Sequence, residues 1–145
     1  MKLSTKSRYG LRVLLQIAID SKNDHVVTGR EIAESQEISE PYLEQIMIPL
    51  KNYGAVSTVR GCRGGYRLKK DAAEISVLDV IELFEGELSL VRCHDGHSSC
   101  PRCKFCSASA VWKELSETLR EKARSITIAM LAEQEQLAKQ PEFVI

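Results

Sequence analysis

Apolar residues along the chain fall into short periodic blocks separated by polar punctuation, and each block predicts an element. From Ser4 to Ile19, Leu11, Leu14, Leu15 and Ala18 recur at helical spacing and predict a first helix, ended by a turn at Asn23-Asp24. His25-Val26-Val27 is short and apolar and reads as a brief strand. Thr28 followed three residues later by Glu31 is a capping box, in which each side chain satisfies a backbone N–H of the other. A helix from Gly29 to Gln36 follows, with Ile32 and Ala33 facing inward. Glu37-Ile38-Ser39 makes a tight connection. Ser39 is a second N-cap, and Pro41 suits a first turn, where its missing N–H costs nothing. The next helix runs from about residue 40 to 52, with Leu43, Ile46, Met47 and Leu50 on one face. Pro49 is expected to kink or loosen its last turn, and Gly54 closes it.

Ala55-Val56-Ser57-Thr58-Val59 is rich in β-branched residues and predicts a strand. Gly61, Gly64 and Gly65 punctuate a turn, and Tyr66-Arg67-Leu68 begins a return strand, making a hairpin with an arginine-bearing tip. Two helices on a short turn followed by such a hairpin is the winged helix-turn-helix plan. Ser76 caps a further helix striped by Val77, Val80, Ile81 and Phe84 and ended by Gly86. A polar, cysteine-rich loop spans residues 92–107, and one long helix is expected over 108–139. Its stripe is Trp112, Leu115, Leu119, Ala123, Ile126, Met130 and Leu137. A partner chain is the simplest place to bury it, so a two-fold homodimer is expected, with Trp112, Leu115, Leu119, Ile126 and Met130 at the interface. The expected fold is mainly α with a small β wing. Residues 1–75 form the winged helix-turn-helix, and 76–145 the cysteine loop and dimerisation helix.

Composition narrows the classes. The 145 residues fit one compact domain plus an arm, and 43% hydrophobic with 28% charged residues is an ordinary globular profile. No stretch approaches the roughly 18 uncharged apolar residues of a membrane span. Arg8, Arg12 and Gln16 break the apolar run after the N-terminus, which makes a poor signal peptide, so a cytoplasmic protein is expected. The net charge is zero but unevenly spread. Residues 1–70 hold 12 basic against 7 acidic residues, and residues 71–145 hold 8 against 13. Residues 51–70 carry six basic side chains (Lys51, Arg60, Arg63, Arg67, Lys69, Lys70) and no acid, the footprint of a phosphate-binding stripe or of a solvated surface.

Cysteine placement adds chemistry. Cys93, Cys100, Cys103 and Cys106 fall within 14 residues, in the spacing Cys-x6-Cys-x2-Cys-x2-Cys. Such clustering in a cytoplasmic chain points to a metal site rather than disulfides. Thiolates favour zinc, copper(I) and iron–sulfur clusters. Spacing alone leaves open a four-thiolate structural zinc and an iron–sulfur cluster. Cys62 stands apart at the wing tip between Arg60 and Arg63. Two cationic neighbours make it a candidate reactive thiol, against the plainer reading of a small tolerated residue.

Taken together, several stretches resemble the IscR/NsrR-type bacterial regulators, the Rrf family of winged-helix proteins, and within it the IscR-type iron–sulfur regulators most of all. They are Lys6-Ser7-Arg8-Tyr9, Ile38-Ser39 leading to Tyr42-Leu43-Glu44-Gln45, the wing from Val59 to Leu68, and a cysteine loop followed by Trp112. The resemblance covers nearly the whole chain. It implies a homodimer on double-stranded operator DNA with two half-sites, the second helix of the motif in a major groove and the wing in a neighbouring minor groove. Ser39, Tyr42, Glu44 and Gln45 would then lie near bases or phosphates, and Arg60 in the minor groove, with Arg63 beside it. Glu44 would accept from cytosine and repel other registers. The family's three cluster cysteines align with Cys93, Cys100 and Cys106. Ser109 stands where IscR-type members place a histidine as fourth ligand, and Arg8 where NsrR-type members place an acidic ligand from the partner chain. Cys103 therefore becomes the expected fourth ligand, with His94 and His97 in reserve, on a 2Fe–2S or 4Fe–4S cluster. Zinc remains the lesser alternative.

A metal-sensing DNA-binding regulator accounts for the capped helix pair, the basic wing and the cysteines together. A small iron–sulfur electron-transfer protein accounts for the cysteines alone. No nucleophile–base arrangement or complete phosphate-cradling loop is present, so no enzyme is expected. Gly61-x2-Gly64-Gly65 has no helix after it and is not a nucleotide loop.

Overall fold

Side-chain caps, laid down locally, set where most of the helices start. In the computed structural model, which describes residues 2–21, 25–91, 93, 100–102 and 105–139, α1 (Thr5–Asp20) opens on Ser4, whose hydroxyl accepts from Ser7 N–H. α2 (Gly29–Gln36) opens on Thr28 with the full capping box to Glu31. Those bonds, from the Thr28 N–H and hydroxyl, hold the exposed Glu31 carboxyl below its ordinary range. Glu37 then turns left-handed (φ 54°), and Ile38 N–H returns to Ala33 O at 3.0 Å, so the connection to α3 (Glu40–Tyr53) is a closed helix cap rather than a free loop. Ser39 caps α3 by accepting from Tyr42 N–H, and Gly54 (φ 82°) ends it.

The helix continues through Pro49 to Tyr53, past the point where a loosened turn was expected. Proline removes a single bond, to the carbonyl of exposed Gln45, while Ile46, Met47 and Leu50 are fully buried around it. Packing holds the turn that propensity alone would open.

β1 (Val56–Val59) and β2 (Gly65–Leu68) pair antiparallel with Val59 opposite Gly65. Of the brief strand expected at 25–27, only Val27 pairs, exchanging both backbone bonds with Tyr66 (3.0 and 2.8 Å). A Cβ on Gly65 would collide with the Val27 carbonyl, so Val27 lies flush against the wing only because residue 65 is glycine. After a single 3₁₀ turn at Ala72–Glu74, α4 (Val77–Glu85) opens on Ser76 with a second capping box, to Asp79.

The long helix expected over 108–139 is two helices, α5 (Ser107–Ser125) and α6 (Ile128–Ala138). The break has a physical cause. Ile126-Thr127-Ile128 is a β-branched run, and it pairs as a one-residue ladder with the start of α4: Val77 N–H donates to Ile126 O (2.8 Å) and Ile128 N–H to Ile75 O (2.9 Å). Thr127 then caps α6 by accepting from Met130 N–H. α6 turns back onto α1, placing Ile128 and Ala132 inside.

The main core gathers Val13, Leu14 and Ile17 of α1, Ile32 of α2, the predicted inner face of α3, Val56 and Tyr66 of the wing, and Ile128 of α6. A smaller cluster of Leu78, Leu88 and Ala123 lies between α4 and α5. The turn expected at Asn23-Asp24 lies outside the described residues.

Candidate nucleic-acid interface and cysteine loop

α3 buries Leu43, Ile46, Met47 and Leu50, so its opposite face must look outward. Pro41, Glu44, Gln45, Ile48 and Asn52 occupy that face at i, i+3, i+4, i+7 and i+11, all exposed. Ile48 is 51% exposed, a large apolar side chain standing among polar ones. Sequence reading passed over it, although its register with Glu44 and Gln45 was legible.

Of the residues expected to meet nucleic acid, Ser39 is exposed at the mouth of α3, its hydroxyl engaged in the cap (3.3 Å). Tyr42 is half-buried, its ring edge-on to Tyr9 of α1 (6.0 Å, 88°), while Arg12 lies over the Tyr9 ring at 5.1 Å. Glu44 and Gln45 point outward beside one another. Glu44 is not free, because its Oε1 accepts from the Tyr66 hydroxyl of β2 at 2.9 Å. Burial, and then this bond to Glu44, pushes the Tyr66 hydroxyl up to about 12, so it stays a donor at any physiological pH. Tyr66 is the second residue that pattern reading did not single out, since a tyrosine in a strand is ordinarily core.

At the wing tip Arg60, Gly61, Cys62 and Arg63 are all exposed, and Gly61 takes φ 119°. Arg67 stands exposed on the outer face of β2, paired across the sheet with Ser57. Lys70 is drawn back over the Tyr53 ring (4.0 Å), at the end of α3. α3 and the chain from β2 to Lys70 are thus joined at two places, Glu44–Tyr66 and Tyr53–Lys70.

The cysteine loop is anchored at both ends on α5. Leu90 N–H donates to Ser116 Oγ (3.0 Å), whose hydroxyl donates to Trp112 O (2.8 Å). Arg120 pairs with Glu82 of α4 and stands 3.5 Å from Glu87. The far end is Cys106, the N-cap residue of α5, with no side-chain cap bond. Ten residues of helix separate Ser116 from Cys106, about 15 Å along α5.

Cys100 and Cys106 are exposed and Cys93 half-buried, while Cys103, His94 and His97 lie outside the described residues. Among the described residues no three metal-ligating side chains converge. The donor chemistry still fits a soft metal or an iron–sulfur centre. Two exposed thiols share the loop, one of them at the positive end of a 19-residue helix dipole, which favours an anionic assembly. Ser109 is buried on the inner face of α5 with Ser116 and Ala123, turned away from solvent.

The expected dimer face is divided. Val111, Trp112, Leu115 and Leu119 form an exposed apolar strip on α5, with Trp112 42% exposed. Ile126 is half-buried in the break between α5 and α6, and Met130 is exposed on α6. Among the described residues no helix is long and apolar enough to cross a membrane.

Comparison with known proteins agrees with this geometry. Residues 3–134 match the profile of the Rrf2 family, described as iron-dependent transcriptional regulators. The chain is 36% identical to Protein rrf2 of Nitratidesulfovibrio vulgaris, covering 90% of this chain and 87% of that one. It is 36% identical to the HTH-type transcriptional regulator IscR of Klebsiella pneumoniae, covering 94% and 83%. Among solved structures, T. potens IscR superposes with a TM-score of 0.78 at 32% identity, over 98% of this chain and 93% of that one. CymR of B. subtilis, the global cysteine regulator of that organism, superposes with a TM-score of 0.76 at 31% identity, over 92% and 98%. The chain belongs to the Rrf2 family: it is a winged-helix, DNA-binding transcriptional regulator close to IscR, and not an enzyme.

Proposed function

We propose that the chain acts as a homodimer that reads two half-sites of an operator, and that a thiolate-held iron–sulfur cluster in the 92–107 loop tunes this reading. One observation carries the sensing part: Leu90, just before the cysteine-bearing loop, bonds Ser116 of α5, and Cys106 at the loop's other end is the N-cap of that same helix, which also bears the apolar strip Trp112, Leu115 and Leu119. What happens in the loop is therefore felt by the element best suited to set the spacing between two protomers. Cys93, Cys100, Cys106 and Cys103 are the proposed ligands. The bound centre supplies a group whose presence and oxidation state depend on iron, sulfide and redox conditions.

On the DNA side, α3 offers Ser39, Glu44 and Gln45 to the major groove, with Tyr42 setting the helix against α1, and the wing offers Arg60 and Arg63 to the minor groove. The switch is a shift between two arrangements of α5, and so of the two recognition helices. A ligand state can move it only by stabilising one arrangement more than the other.

A second reading is favoured by the likeness to CymR, a global cysteine regulator of the same fold: this chain would then be a DNA-binding regulator whose four cysteines hold a structural zinc. Oxygen-free purification with iron, sulfide and zinc analysis separates the two. Coloured protein with matched iron and sulfide is expected, bleached by Cys100→Ala without loss of fold, and operator affinities of apo and cluster-loaded protein are expected to differ at matched salt. Colourless protein with stoichiometric zinc, or equal affinities, removes the sensor.

A further inference from the structure

Glu44 is the one carboxylate that combines exposure on the groove-facing side of α3 with a fixed partner on the wing. An unrestrained carboxylate beside a phosphate backbone swings away into solvent, since its charge is repelled and its rotamers are open. This one cannot swing freely. Its Oε1 is held by the Tyr66 hydroxyl at 2.9 Å, and Tyr66 is itself buried to 7% exposure. The tyrosine backbone exchanges both hydrogen bonds with Val27, and its ring packs on Gly29 at the start of α2, where a Cβ would stand 3.4 Å away. The donor is therefore fixed at three places at once: the wing, the Val27 bridge and α2.

From this juxtaposition the geometry points to Tyr66 as a positioning residue for sequence discrimination: it pins Glu44 Oε1 to the wing so that Oε2 alone faces the groove. A pinned carboxylate is a rigid acceptor. It accepts from an exocyclic amine, as on cytosine or adenine, and repels the carbonyl oxygens of guanine and thymine. Held rigid, it cannot relieve that repulsion by rotating, so the mismatched base bears the full penalty. Tyr66 touches no base itself. It also makes the wing and the recognition helix a single reading unit, because displacing β2 moves the carboxylate.

This inference rests on the proposal that α3 enters the major groove with Glu44 toward the bases, and the experiment separates the two. Operator duplexes selected from a randomised library with the wild-type protein define the base pair at which Glu44→Ala alters preference. Competition binding at matched salt then compares that base pair with its three substitutions for wild type, Tyr66→Phe, Glu44→Ala and the double variant. Tyr66→Phe is expected to narrow the discrimination ratio there about tenfold, within the range of one lost base contact, chiefly by improving binding to the mismatched duplexes. Added to Glu44→Ala, it should change that ratio no further. Glu44→Asp, whose shorter arm cannot reach the hydroxyl, leaves Tyr66 in place and keeps the test available should the phenylalanine variant fold poorly. It should narrow the ratio alike.

Should Glu44→Ala alter preference at no base pair, the groove assignment itself fails. If Glu44→Ala flattens the ratio while Tyr66→Phe and Glu44→Asp leave it intact, the groove assignment stands and the positioning role is overturned. A uniform loss of affinity across all sequences in Tyr66→Phe would likewise assign the tyrosine to stability alone.

Discussion

Ser7 and Glu85 show how one exposed carboxylate joins two helices 78 residues apart. Glu85, at the end of α4, accepts from Ser4 N–H at 2.8 Å and from the buried Ser7 hydroxyl at the start of α1. Bonds from the Ser4 hydroxyl first, then from Ser7 and the Ser4 N–H, hold the Glu85 carboxyl below its ordinary range. A depressed carboxyl in the folded state adds stability above the unfolded value and loses it as pH falls through the folded value. Ser7→Ala should therefore raise the Glu85 titration toward the ordinary carboxylate range and make the acid limb of the stability curve shallower. Side-chain carboxyl NMR titration reads the first, and urea unfolding at neutral and acid pH the second. An unshifted Glu85 titration would remove the link. The same scale explains what could be read beforehand. Thr28–Glu31, Ser39 and Ser76 were legible because a cap is settled within four residues, whereas Tyr66–Glu44 joins positions 22 apart and leaves no local mark.

At the scale of elements, the wing is a short hairpin whose tip carries charge and whose base is locked to the body. Arg60 and Arg63 flank an exposed tip, while Tyr66 and Gly65 fasten the strands to Val27 and α3. Arg60→Ala should weaken operator binding and reduce the salt dependence by about one counterion, with the metal content of the protein unchanged. Binding isotherms over a salt series check it, and an unaltered slope would take Arg60 off the phosphate path. α5 and α6 mark the limit of pattern reading for elements. The apolar residues of 108–139 keep helical spacing across Ile126-Thr127, so periodicity runs on where the backbone does not. The break is decided by pairing with Ile75 and Val77, a partner that lies 49 to 53 residues away and leaves no trace in a local window.

For the whole molecule, the apolar strip on α5, exposed among the described residues, is the surface that bears on assembly. Val111, Trp112, Leu115 and Leu119 are exposed on one side, while Ser109, Ser116 and Ala123 meet the body on the other. Small inward and large outward is the reverse of a helix that packs only on its own domain, and it fits burial against a second copy. Leu115→Glu is expected to convert a dimer to monomers by light scattering at unchanged helical content, and to abolish binding to paired half-sites while leaving weak single-site binding. A dimer that survives the charge places the interface elsewhere. In the assembled protein the loop, α5 and the recognition helices would share one mechanical path, since α5 carries the loop's two anchors and meets α4 through Arg120–Glu82.

The amino-acid sequence by itself determined the local and the periodic: the caps that start α2, α3 and α4, the inner face of α3, the hairpin with its arginine tip, and the class of donor atoms between Cys93 and Cys106. Each depends on residues a few positions apart, or on chemistry a side chain carries wherever it lies. Tertiary structure alone decided that α3 holds through Pro49, that residues 126–128 break a helix in two, and that Glu44 is held by Tyr66. In every such case the deciding energy comes from a partner distant in sequence and near in space, which no spacing along the chain records.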